Sequence, residues 1–282
     1  MKFLFKGYVL LILLVCLTIV SLFVGVSQLS LSDIFHLSEE QQNILFSSRI
    51  PRTVSILLSG SSLALAGLIM QQMMQNKFVS PTTAGTMEWA KLGILISLIF
   101  FPKGHILIKL LFSVGLSLAG TYLFVKLINL IRVKEVIFVP LLGIMIGGIV
   151  SSFTTFIALR TNALQSIGNW MNGNFAIITS GRYEVLYLVV PLLIIAFIFA
   201  NHFTIAGMGK DFSHNLGVSY EKIINIALFI TAALTALVVV TVGTLPFLGL
   251  IVPNIISMYR GDHLKNALPH TLMLGSIFVL FA

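Results

Sequence analysis

Gly209-Lys210-Asp211-Phe212-Ser213-His214-Asn215-Leu216-Gly217-Val218 lies between two greasy runs. The second run gives way to Gly243-Thr244-Leu245-Pro246-Phe247-Leu248-Gly249-Leu250-Ile251-Val252-Pro253-Asn254. A helix whose only task is to fill lipid needs neither segment. Backbone broken by Pro and Gly is tolerated at membrane depth only where protein or a water-filled path covers it. A charged loop with helical spacing between spans suits docking to something outside the bilayer. Together the two segments predict a moving transport subunit rather than an anchor.

Composition supports a lipid solvent. Of 282 residues, 57% are hydrophobic and only 9% charged, with a mean hydropathy of +1.04, where a soluble domain carries about a quarter charged residues. One membrane domain over residues 1–282 is expected. The single Cys16 sits in the first apolar run, which leaves no disulfide framework and no thiolate metal set. The net charge of +8 is scattered over short loops, a pattern that orients a membrane protein rather than one that grips nucleic acid.

Apolar runs of about 20 residues mark membrane helices. The first, near 8–26, follows Lys2 and Lys6 and is too long for a signal h-region, with no small-residue cleavage site after it. Further spans read near 53–75, 86–101, 106–131, 137–159, 184–201, 222–244, 246–258 and 268–282. With the N-terminus inside, eleven Lys and Arg fall on the cytoplasmic side, among them Lys77, Lys91, Lys126, Lys210, Lys222, Arg260 and Lys265. Six fall outside: Arg49, Arg52, Lys103, Lys109, Arg160 and Arg182. The positive-inside rule favours that topology. Gly60, Ala64 and Gly67 form a small-residue ridge, as do Gly143 and Gly147, and such ridges let helix backbones approach closely.

Other chemistries lack their parts. Asp211 follows the only Gly-Lys pair, and Thr204 stands where a phosphate loop needs its first glycine, so nucleotide binding by that route is excluded. The six histidines have no metal-ligand spacing. No catalytic set can be assembled, and no cofactor or metal site is expected. Glu88 and Lys91 stand three apart on one helix and can neutralise each other. A proton- or sodium-coupled carrier would need buried coupling charges and matched broken helices. A non-transporting scaffold would have no use for the loop at 209–218.

Several motifs occur in one order. Arg49-Ile50-Pro51-Arg52-Thr53 opens the second span, and Leu65-Ala66-Gly67 with Met70-Gln71 continues it. Asn76-Lys77-Phe78-Val79-Ser80-Pro81 and Gly85 come next, then Trp170-Met171-Asn172-Gly173 and Leu216-Gly217-Val218. The Pro246–Asn254 stretch, Gly261-Asp262-His263 and Pro269 complete the series. From residue 49 onward the chain resembles the FecCD (BtuC-like) family of bacterial ABC-transporter permeases, which import iron–siderophore complexes, haem and vitamin B12. The resemblance implies an all-α, polytopic membrane bundle of ten helices, of which about nine spans are present here. Family members continue into a tenth helix, so the sequence reads as cut short at its C-terminus. A second permease subunit, identical or paralogous, two ATP-binding-cassette ATPase subunits inside and a substrate-binding protein outside are the implied partners.

The resemblance also assigns roles. Arg49 and Arg52 would dock the binding protein; an always-charged Arg can grip a carboxylate with two parallel bonds, and the competing reading is interfacial snorkelling. Gly209 to Asn225 would form one or two short helices that seat on the ATPase, broken at Asn215–Val218. Leu216 and Val218 would give apolar contact there, Gly217 the turn, and Lys210, Asp211, His214 and Glu221 a polar rim. The translocation path would be lined by Glu135, Val136, Ile137 and Phe138, ahead of the fifth span, and by Pro246, Phe247, Gly249, Pro253 and Asn254. Two departures, Pro253-Asn254-Ile255-Ile256-Ser257 and the charged pair in Thr82–Gly93, resemble the catecholate-siderophore branch, with haem and cobalamin as the competing cargoes.

Overall fold

In the computed structural model, residues 6–24, 38–130 and 136–282 are described. Thirteen α-helices account for most of them, and no strand occurs among the described residues. In chain order they are α1 (Gly7–Phe23), α2 (Glu39–Ile44), α3 (Ile50–Met73), α4 (Thr86–Phe100), α5 (Ile106–Leu130), α6 (Phe138–Arg160) and α7 (Leu164–Met171). Then come α8 (Val189–Ile198), α9 (Ala200–Ala206), α10 (Lys210–Asn215), α11 (Tyr220–Thr241), α12 (Leu248–Arg260) and α13 (Leu264–Phe281).

A helix occupies each of the nine intervals expected to span the membrane. Five are long and apolar enough to cross it: Gln41–Met73, α5, α6, α11 and α13. The helices from Tyr183 to Ala206 make a sixth if their 59° bend lies within one span. α1, α4 and α12 are shorter, at 17, 15 and 13 residues.

Two differences from the sequence reading have local causes. The second span starts well before residue 53: Ser38 closes a capping box with Gln41, launching α2, and a single π-turn over Leu45–Arg49 joins it to α3. Ser-x-x-Gln is a helix-start signal in the sequence itself. Pro51, in the first turn of α3, has no N–H to offer the preceding turn, where the Phe46 and Ser47 carbonyls accept from Ser180. The expected span 184–201 is a 3₁₀ turn (Tyr183–Leu188) leading into α8, which bends at Phe199 into α9.

α3 and α11 form the core, buried along most of their length and packed on each other. Around them stand α13, α12, the α4–α5 hairpin and α9, while α1 lies on α13 and α6 on α4. Glycines set these distances. A side chain on Gly60 would meet the backbone of Gly275 and Ser276 in α13, and one on Gly67 would overlap the Gly249 carbonyl in α12. Gly143 faces the backbone of Thr83 and Ala84, and Gly147 faces Gly85. Both small-residue ridges are thus close backbone crossings, each serving a different neighbour. By contrast, α5, α6 and α8 present long apolar faces outward, including Leu111, Ile149, Phe153 and Ile194, as helices bordering lipid or a partner do.

Candidate functional site

Functional residues gather at the two ends of the bundle. At one, here the Arg52 end, the start of α3 meets the segment after α7: Ser180 bonds the carbonyls of Ser47 (3.3 Å) and Phe46 (3.2 Å). At the other, the Lys77 end, the segment after α3 meets the loop that carries α10, the start of α6 and α12.

Arg49 is enclosed just ahead of α3. It is 5% exposed, and its guanidinium donates to the Val24 carbonyl. Arg49 closes the π-turn over Leu45–Arg49, and its bond ties that turn to the end of α1. Arg52 is partly exposed and lines a cavity of about 560 Å³ with Leu17, Ser21, Asn172 and Gly173. Its Nε is enclosed and has no hydrogen-bond partner.

Beside this cavity lies an arrangement that reading the sequence missed. Trp170, at the end of α7, has two cations near its ring: the Arg182 guanidinium at 4.1 Å and the Lys109 ammonium at 5.6 Å from the centroid. Lys109 donates to the Gly104 carbonyl at 2.8 Å. The turn carrying Arg182 is pinned by the Ser180 bonds and by Glu184, whose carboxylate accepts from the Gly181 N–H at 2.7 Å. Burial pushes the Arg182 pKa below the ordinary arginine value, though a guanidinium stays cationic in a protein. Only the Trp-Met-Asn-Gly motif gave a sequence signal here.

The loop from Gly209 to Val218 has a defined shape. Gly209 (φ +110°) starts α10 and Gly217 (φ +71°) turns the chain into α11. These are left-handed conformations that glycine adopts without a Cβ clash. Ser213 is buried and fixes the loop from within, its hydroxyl donating to the carbonyls of Gly209 (2.8 Å) and Ile205 (3.2 Å). Lys210, Asp211, His214, Leu216 and Glu221 all face outward, and Val218 is partly covered. Phe212, one turn before Leu216, is exposed as well, and together they make an apolar pair on one face of the loop. Lys210 and Glu221 approach at 3.6 Å, both well exposed, so the pair contributes little.

The expected path residues divide. Glu135 lies outside the described residues. Val136 and Ile137 are exposed at the mouth of α6, and Phe138 is partly so. Pro246 and Phe247 are also exposed. Phe247 holds a left-handed backbone (φ +63°), a strain of roughly 1–2 kcal/mol for a residue with a Cβ. Gly249 and Pro253 are buried within this subunit, and Gly249 sits against Leu63 and Gly67 of α3. α12 therefore starts partway along α3, and Thr244–Phe247 is irregular, half-buried at Thr244 and Leu245 and exposed at Pro246 and Phe247.

Asn254 serves as a clamp. Its amide donates to the carbonyls of Lys77 (2.8 Å) and Leu250 (2.9 Å), while Gln71 donates to the same Leu250 carbonyl (3.3 Å). Lys77 bonds Asp262 and Ser257, and Ser257 donates to Asp262 at 2.6 Å. Asn76 reaches the other way, to the Val136 carbonyl at 2.8 Å. Desolvation alone would raise the Asp262 pKa, but the bonds from Lys77 and Ser257 outweigh it and hold it below its ordinary value. A depressed carboxylate contributes stability above its unfolded pKa and loses it as pH falls through the folded one, so this pair stays intact at neutral pH and fails only in acid. Asp262→Asn breaks a half-exposed pair and is expected to cost about 1 kcal/mol or less. Asn254→Leu orphans the Lys77 carbonyl and is expected to cost about 1–3 kcal/mol. Thermal unfolding in detergent would rank the two, and a reversed order would contradict the clamp.

Glu88 and Lys91 approach at 3.9 Å on α4, both partly shielded, and neutralise each other at the α4–α6 contact. The whole is a polytopic helical membrane protein with a structured polar loop at one end and a cationic rim at the other. It belongs to the FecCD transport family, whose model matches residues 12–282. It is 53% identical over 270 residues to the petrobactin import system permease protein YclN of Bacillus subtilis, covering 96% of this chain and 85% of that one. It is 39% identical to the petrobactin import system permease protein FatD of Bacillus anthracis (94% and 77% covered). Identity to the ferric-anguibactin transport system permease protein FatD of Vibrio anguillarum is 35% (93% and 83%). In fold it is similar to a metal-chelate type ABC transporter solved in an inward-facing conformation, with a TM-score of 0.82 at 23% identity, over 98% of this chain and 88% of that one.

Proposed function

We propose that this chain is the transmembrane permease subunit of an ATP-binding-cassette importer that moves iron–siderophore complexes, of the catecholate kind, into the bacterial cytoplasm. The observation that carries the reading is its similarity, over more than nine-tenths of its length, to petrobactin and anguibactin permeases. The departures at Pro253–Ser257 and Thr82–Gly93 support the same branch. Cellular uptake of radioiron as the petrobactin complex, measured with and without this gene, tests it. Uptake that persists undiminished in the deletion strain, with no second petrobactin importer present, refutes the cargo.

In this reading the Lys77 end is cytoplasmic, as the Lys and Arg distribution predicts, and the chain pairs with a second permease subunit. Of the two ATPase subunits, one seats on α10 and its flanks, where Phe212, Leu216 and Val218 give apolar contact within a rim of Lys210, Asp211, His214 and Glu221, and the other seats on the second permease subunit. The path runs past Val136 and Ile137 at the inner mouth and past Pro246 and Phe247 deeper in. The outward face of α6 supports a wet lining, because Gly148, Ser152 and Thr155 lie exposed among its apolar residues. At the Arg52 end the substrate-binding protein docks, and Arg52 supplies the charge, Arg49 being committed to α1. Arg52→Glu is expected to weaken binding-protein docking by roughly tenfold or more, with the complex still assembled. Docking measured in nanodiscs at wild-type strength would remove Arg52 from the interface.

A further inference from the structure

Arg182 is in an unusual electrostatic position. Its guanidinium is stacked on Trp170 at 4.1 Å from the ring centroid, its Nε is enclosed without an acceptor, and Lys109, another cation, approaches the same ring. No carboxylate lies within ion-pairing distance of it among the described residues; the nearby Glu184 is engaged with the Gly181 N–H. A shielded cation whose close ionic neighbour is another cation is costly until an anion arrives. The surroundings share this imbalance. At this end the described residues include Arg49, Arg52, Lys103, Lys109, Arg160 and Arg182, against Glu39, Glu40 and Glu184.

We propose that Arg182, held over Trp170 beside Lys109, is a receptor for a carboxylate side chain of the substrate-binding protein; the proposal rests on the docking reading given above. The stack fixes the plane of the guanidinium, and the Ser180 and Glu184 bonds fix the turn beneath it. A fork held in place loses little freedom on meeting a carboxylate, and the two can pair through parallel bonds. Lys109, close by, adds attraction without being able to reach far, since its ammonium is anchored to Gly104. A lipid phosphate is the other anion such a group could meet. Arginines that serve headgroups extend a free, exposed head to a mobile layer, whereas this one is half shielded and locked in orientation, which suits one defined partner. The Ser180 bonds also place the turn against Phe46 and Ser47, just ahead of the helix that carries Arg52.

The test uses the whole permease–ATPase complex in nanodiscs and its substrate-binding protein, with affinity measured across a salt series for wild type, R182Q, R182E, W170F and R52E. Gel filtration reports assembly. R182Q is expected to lose about tenfold in affinity and to flatten the salt dependence; R182E is expected to lose more. W170F is expected to fall between wild type and R182Q, and reversing one acidic residue of the binding protein to Lys is expected to restore docking to R182E. Wild-type affinity in R182Q alongside weakened R52E overturns the proposal and leaves docking at this end standing. Wild-type affinity in both removes the docking reading too. If R182E fails to assemble, R182Q and W170F decide by the same criteria. Unchanged docking with loss of a bound anionic lipid in R182Q assigns the site to the membrane and overturns it as well.

Discussion

Gly67→Ala is expected to abolish most of the folded protein. The added methyl has nowhere to go: it would overlap the carbonyl, carbonyl carbon and Cα of Gly249. These are backbone atoms and cannot rotate aside as a side chain would. α12 cannot retreat easily either, because Gly249 is itself enclosed by Leu63 and Pro81, Gln71 bonds the helix to α3, and Asn254 bonds it to the segment beyond. Overpacking a core commonly costs about 1–3 kcal/mol, and a backbone-on-backbone crossing belongs at or above the top of that range. Fluorescence-detected gel filtration after solubilisation should show loss of the monodisperse peak. Gly148→Ala is the control, since a side chain there meets nothing within 4 Å, and it should keep the peak. A Gly67→Ala protein as monodisperse and as thermostable as wild type would show that α3 and α12 do not cross as described.

The second large effect is expected at the coupling loop. Phe212 and Leu216 are exposed apolar side chains one turn apart, and covering them with an ATPase surface would be worth about 1.5–3 kcal/mol each. Replacing both by Ala should therefore cost roughly 3 kcal/mol of association, about two orders of magnitude in ATPase affinity. Titrating the ATPase subunit onto the permease in nanodiscs reads this directly. Gly217→Val should act differently: it leaves the surface in place but strains a turn at φ +71° with a β-branched residue, so ATPase binding should survive while transport per ATP falls. Wild-type affinity in the double Ala variant would move the contact elsewhere.

The sequence disclosed the helices better than their environments. Apolar runs located nine helical intervals because lipid imposes that composition whatever the neighbours are. The break at Asn215–Val218 was legible because Gly217 needs a left-handed backbone, and the irregular Thr244–Phe247 stretch because Pro and Gly interrupt it. The enclosure of Arg49 was hidden because its side chain's direction depends on a π-turn and on the Val24 carbonyl, 25 residues away. The contacts of Gly249 and Asn254 were hidden for the same reason: their partners, Leu63, Gly67 and Lys77, lie far off in the chain. Arg182 and Trp170 stand twelve positions apart, on a turn whose Ser180 bonds back to Phe46 and Ser47, and nothing local in the sequence signals that they meet. The apolar pair of Phe212 and Leu216, by contrast, has plain i, i+4 spacing and could have been read.

Two neighbouring residues grip opposite partners. Asn76 holds the Val136 carbonyl at the threshold of α6, and Lys77, through its own carbonyl and its ammonium, holds Asn254, Ser257 and Asp262 on and beyond α12. A single short strap thereby yokes the threshold of α6 to α12. A displacement of that threshold would drag α12 and the left-handed Phe247 at its start along with it, gearing movement at one depth to movement at another.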